Sequence, residues 1–216
     1  MPEPTPLPPE LTAEIQLSHS IVESSRTHDL PYRHRCIINN LLGPLRSRTS
    51  DAKLTGIGHW RRYQLALITT QAVLPCWERS FPNDRLPHDC LETARRVMMG
   101  ELAEGECVEL RDDAWNYCGE LVCEHQDRQN DVLPGYAALQ VLRIALWDNM
   151  YPEVVEEGTT DEDVDPEDND YAFCAAASWA GGTIWNESSS SSQRQAFWRW
   201  WLTEAVPAAW HTKFAN

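Results

Sequence analysis

From His59 onward, large and apolar residues recur every three or four positions, so that Trp60, Tyr63, Leu67, Thr70 and Leu74 line one side of a helix. The same spacing runs through almost the whole chain, whereas the alternation of β-branched residues expected of strands is hard to find. This periodicity predicts an all-α fold. Its form is a single compact domain of about seven to eight packed helices over residues 10–216, with one core.

Individual segments sharpen the expectation. Residues 10–25 place Leu11, Ile15, Ser18 and Val22 on one side. Asp29 stands before Pro31 as the cap of a second helix, with Ile37, Ile38, Leu41 and Leu42 inward and Gly43-Pro44 as its stop. Residues 44–58 read as a loop, Pro75 ends or bends the helix that starts at His59, and the following stretch to Asp89 is turn-rich. Pro87 opens a helix carrying Leu91, Ala94, Val97 and Met98, and residues 108–128 form the next, with Trp115, Cys118, Leu121 and Val122 inward. Pro134-Gly135 begins YAALQVLRIALW, in which only Gln140 and Arg143 are polar; a helix apolar nearly all round belongs at the centre of a fold. The small residues of YAFCAAASWAGG admit a close neighbour. Ser192 with Gln195 matches a capping box for a last helix that turns Phe197, Trp198, Trp201, Leu202 and Ala205 inward and is interrupted by Pro207. Residues 1–9, rich in proline, read as a disordered extension.

Charge is distributed very unevenly. The formal net charge is −15, and the ten carboxylates Glu153, Glu156, Glu157, Asp161, Glu162, Asp163, Asp165, Glu167, Asp168 and Asp170 fall within residues 153–170 with no Lys or Arg among them. Between Arg26 and Arg62 the sign reverses, eight basic residues facing only Asp29 and Asp51. Three readings of the acidic loop stand side by side. It is a hydrated connection between helices, or an electrostatic attractor for a basic partner such as a nuclease domain, or a segment that folds back on the basic stretch of its own chain. Nucleic acid is not expected as a partner, because its polyanionic backbone calls for a basic surface.

The chain carries no basic start followed by an apolar stretch, and nothing reaches the roughly 18 to 20 apolar residues of a membrane span. Seven cysteines, odd in number and without a Cys-x-x-Cys, fit reduced thiols in a cytoplasmic protein. Searches for chemistry return little. Cys118, Cys123 and His125 lack a second ligand pair at zinc-site spacing, and DEDVDPEDNDY lacks the sixth-position glycine of a calcium loop. No phosphate loop and no Gly-x-Ser-x-Gly elbow occurs, and no cofactor is called for. One enzymatic alternative survives: His28-Asp29, joined by His34, His59 and Asp148, would suit a helical metal-dependent hydrolase.

Two tryptophan-rich blocks carry a resemblance. The first runs from Trp60-Arg61 and Tyr63 through Ala72-Val73-Leu74-Pro75-x-Trp77-Glu78 to Pro82-x-Asp84-x-x-Pro87. The second runs from Ala175 to Gly181-Gly182-x-x-Trp185, then Arg194-Gln195-x-Phe197-Trp198-x-Trp200-Trp201-Leu202 and Ala205-Val206-Pro207-x-x-Trp210. Together, over roughly residues 55–210, they resemble the immunity protein 5 family of bacterial polymorphic toxin systems. The resemblance implies an all-helical protein that protects its producing cell by binding a cognate toxin, and it supplies no catalytic residues. On that expectation the partner-binding candidates are Glu156, Glu157, Asp161, Glu162, Asp163, Asp165, Glu167, Asp168 and Asp170, together with Trp200, which points away from the face set by Trp201 and Leu202. The sequence leaves the oligomeric state open.

Overall fold

A computed structural model describes residues 6–45, 52–148, 151–152, 155–156, 158–164 and 169–213, without side-chain placement at 52–55 and 127. Among the described residues every regular element is helical. The order is α1 (Pro9–Ser24), α2 (Tyr32–Leu41), α3 (Ala52–Gln71), α4 (Leu74–Ser80), α5 (Leu86–Met98), α6 (Val108–Glu124), α7 (Leu133–Trp147), α8 (Tyr171–Ala180), α9 (Ser191–Trp200) and α10 (Val206–His211). A short 3-10 stretch, Gln126–Val132, links α6 to α7, and a π-helical turn, Trp201–Ala205, joins α9 to α10.

Helix α7 lies at the centre, in contact with α3, α4, α5, α6 and α8. Its composition explains the position, since Ala137, Ala138, Leu139, Val141, Leu142, Ile144, Ala145 and Leu146 are all buried and cover its whole circumference. Entry into α7 needs Gly135. A Cβ there would stand 2.7 Å from the Trp77 ring and 3.0 Å from Cys118 Sγ, so only glycine lets the fully buried Trp77 lie across the start of the helix. Helix α8, half of it alanine, packs closely against α7 and α9.

Several local expectations are corrected. Helix α3 starts at Ala52, inside the segment read as a loop, and runs through Gly56 and Gly58. Gly58 is there for close approach rather than for flexibility: a Cβ on it would lie 2.7 Å from the Pro44 carbonyl oxygen. Pro75 and Pro207 open the short helices α4 and α10 in their first turns, which is why more helices form than the apolar period alone predicts. Pro207 has no N–H to return to the preceding turn, and the turn before it widens into the π-helical Trp201–Ala205. Pro9 lies inside α1, although it was expected in the extension. The cap of α9 is Ser190, whose hydroxyl accepts from Gln193 N at 3.3 Å, two residues ahead of the expected Ser192. On α2 the inward face is Tyr32, Arg35, Cys36, Ile38 and Asn39, so a charged and an amide side chain sit where Ile37 and Leu41 were expected.

Candidate functional site

The charged side chain buried on α2 organises the acidic segment. Arg35 is fully buried, and its Nε donates to Asp170 Oδ2 at 2.8 Å while its Nη atoms donate to both oxygens of Asp161 and to the Leu30 carbonyl. Burial alone would lower the Arg35 pKa, but Asp170 and Asp161 beside it more than offset this and hold it well above its ordinary value. Asp170 also caps α8, its Oδ1 accepting from Ala172 N at 2.8 Å and Phe173 N at 3.0 Å. A second buried pair repeats the arrangement. Arg62 on α3 donates from Nε and Nη2 to the two oxygens of Asp148 at 2.6 Å each, and from Nη1 to the Gly43 carbonyl at 2.6 Å.

The expected partner-binding acids therefore divide. Asp161 and Asp170 are buried against Arg35, so the fold-back reading holds for them and they are not offered to a partner. Glu156, Glu162 and Asp163 are exposed. The Thr160 amide and hydroxyl donate to Asp163 and hold its carboxyl below the ordinary range, which keeps it ionised. Glu157, Asp165, Glu167 and Asp168 lie outside the described residues. Trp200 is half-buried on α9 and stacks on Trp179 of α8, with ring centroids 6.0 Å apart and planes inclined by 13°.

The His and Asp residues of the hydrolase alternative go to separate tasks. His28 Nδ1 bonds to the Val22 carbonyl, His34 to Glu14, His59 to the Ile144 carbonyl, and Asp148 to Arg62. Asp29, expected as a helix cap, instead accepts from Trp198 Nε1 at 2.8 Å. Among the described residues no group of three or more His, Cys, Asp or Glu is placed to hold a metal ion. All seven cysteines are free thiols, and burial pushes Cys36 and Cys90 up to about 12 and raises Cys118 and Cys174 as well, so these four stay protonated and unreactive at neutral pH.

Burial raises the pKa of Asp29 against the opposing pull of Arg35. A carboxyl with a raised folded-state pKa takes its proton more readily in the native chain, so the ionised form costs stability above that pKa and the cost disappears as the pH falls through it. Asp29→Asn keeps an oxygen for Trp198 and removes the charge. The variant should be more stable than the parent at pH 7, and the gap should narrow as the pH is lowered from neutral through the folded-state pKa of the carboxyl. Thermal melts of both chains across this range check it, and a gap independent of pH contradicts it.

Away from this network, a groove of about 720 Å³ opens between α6, α7, α8 and the turn after α8. Its aromatic lining comes in two pairs. Trp115 meets Tyr136 edge-on at 4.9 Å, and Phe173 meets Trp185 at 5.8 Å, with Trp185 half exposed. Asn169 is among the lining residues, and its backbone carbonyl accepts from Gln140 Nε2 at 2.8 Å. Sequence reasoning took Trp115 and Val122 as core and missed the groove, because it forms only where α8 and its following turn return beside α6.

The model of the family described as Immunity protein Imm5 matches residues 15–208. The chain belongs to this family. The match starts further toward the N-terminus than the two tryptophan-rich blocks and takes in α2 with Arg35. Membership supports an immunity role and, with it, a toxin as binding partner. A search of curated proteins finds no match. Among the described residues no helix is long and apolar enough to cross a membrane.

Proposed function

We propose that this Imm5 chain neutralises a cognate protein toxin by direct contact in the cytoplasm of the cell that produces it, without chemistry of its own. Family membership over residues 15–208 carries the reading. Two features of the surface support it. Glu156, Glu162 and Asp163 present ionisable carboxylates on a chain of net charge −15, which favours a basic toxin, of which a nuclease is one kind. Half-exposed tryptophans stand on α8, on the turn that follows it and on α9, and aromatic side chains of this sort anchor protein interfaces. Co-expression with the toxin encoded beside it tests the role. Growth is expected to be restored and a complex to co-purify; a toxin that kills regardless and leaves the chain unbound defeats the reading.

The electrostatic part has its own test. In the combined variant Glu156→Gln, Glu162→Gln and Asp163→Asn, the association rate should fall roughly threefold to tenfold at low salt, and its dependence on ionic strength should flatten. Stopped-flow binding at two salt concentrations reads both. An unchanged rate makes the exposed acids a solvated connection and nothing more.

A further inference from the structure

The groove between α6, α7 and α8 has a chemistry that selects its occupant, and we propose that it receives an arginine side chain carried on a loop of the toxin. The proposal deepens the toxin-binding reading and rests on it. Three independent properties of the groove converge on a guanidinium.

First, its walls are aromatic. The Trp115–Tyr136 and Phe173–Trp185 pairs stand on different elements and line one cavity, and ring faces carry negative potential that attracts a flat, weakly hydrated cation. Second, its charge has one sign. Among the described residues that line it, Glu187 at the exposed turn is acidic and none is basic. Burial holds the Tyr136 phenol up at about 12 and raises the Cys174 thiol too, so both are neutral and neither competes with Glu187. Third, the side-chain oxygen of Asn169 is buried and has no hydrogen-bond partner among the described residues. An unpaired buried acceptor is costly, and although this oxygen is closed to solvent in the free chain, a small turn of the Asn169 side chain toward an entering N–H donor removes that cost. An aliphatic side chain would use the rings and leave Asn169 unsatisfied. A carboxylate would be repelled by Glu187 and would bring no donor. Arginine uses the rings, the charge and the acceptor together, because its planar head carries five N–H donors.

The groove can be probed without the toxin. N-acetyl-arginine N-methylamide is titrated into ¹⁵N-labelled full-length chain, alongside the citrulline counterpart, which keeps the side-chain length and loses the charge, and the norleucine counterpart, which keeps only the aliphatic stem. The arginine compound should give saturable shifts of the Trp115 and Trp185 indole signals and of the Asn169 side-chain amide, with the citrulline compound roughly tenfold weaker. Trp185→Ala should abolish the response and Trp185→Phe should restore part of it; Trp185 is half exposed, and a thermal melt confirms that each variant is folded. Equal responses to all three compounds, or none, overturn the proposal. Concentration-dependent shifts of the same signals in the free protein would place a second copy of the chain in the groove and overturn it as well. With the toxin in hand, a wild-type complex whose affinity is unmoved by Trp185→Ala refutes the arginine site and leaves the immunity role standing. A wild-type chain that binds the arginine compound but no toxin refutes the role instead.

Discussion

Replacing Arg35 with methionine should destabilise the fold by about 3–5 kcal/mol, a large part of the roughly 5–15 kcal/mol that holds a domain of this kind together. Methionine fills much of the space that arginine occupied, so the loss does not come from a void. It comes from Asp161 and Asp170, which are 5% and 1% exposed and would remain buried with no countercharge. Asp170 cannot turn outward to escape, since its other oxygen caps α8. The mechanism makes a second, sharper expectation. Adding Asp161→Asn and Asp170→Asn to Arg35→Met removes the orphaned charges and keeps an oxygen for the α8 cap, so the triple variant should recover more than half of the lost stability. Urea unfolding at pH 7 gives both numbers. A triple variant no better than the single one would mean that Arg35 acts through its packing against Tyr32, Phe173 and Trp198 and not through its charge.

Arg35 also marks the boundary of what the sequence discloses. Helical class, the central place of residues 133–147 and the inward face of the last helix follow from apolar spacing, which is local and repeats within a few residues. The pairing of Arg35 with Asp161 and Asp170 spans 126 and 135 residues, and nothing local distinguishes these two carboxylates from their eight acidic neighbours. The opposite signs of residues 26–62 and 153–170 made the fold-back reading available, yet only tertiary contact assigns the partners. The same limit explains Asp29. Its place before a proline reads as a helix cap, and what claims it is the indole of Trp198, 169 residues away. The loop expected over residues 44–58 fails for a different reason: the helix begins at Ala52 and continues through Gly58, whose missing side chain admits the Gly43-Pro44 backbone. The aromatic groove, made from three helices and a turn, has no local signature at all.

Two adjacent tryptophans should separate stability from binding. Trp201→Ala is expected to cost about 3–5 kcal/mol, which brings the chain close to unfolding at ambient temperature. Trp201 is fully buried, stands edge-on to Trp198 with ring centroids 5.6 Å apart, and donates from Nε1 to Thr69 Oγ1 at 3.0 Å. Truncation leaves a cavity between α3 and the last helices, where the π-helical turn ahead of Pro207 offers little regular backbone to collapse into it. It also strips the Thr69 hydroxyl of its indole partner. Trp200, one position earlier, is half-buried and stacks on Trp179, which is 37% exposed, so Trp200→Ala should cost only about 0.5–1.5 kcal/mol of fold stability. If the Trp179–Trp200 stack is part of the toxin interface, that second variant lowers complex affinity by roughly tenfold or more while its unfolding curve barely moves. Calorimetric binding and urea unfolding on the two variants make the comparison. A Trp200→Ala chain that binds as tightly as the parent removes the stack from the interface, and a Trp201→Ala chain as stable as the parent would contradict the packing of the last helices.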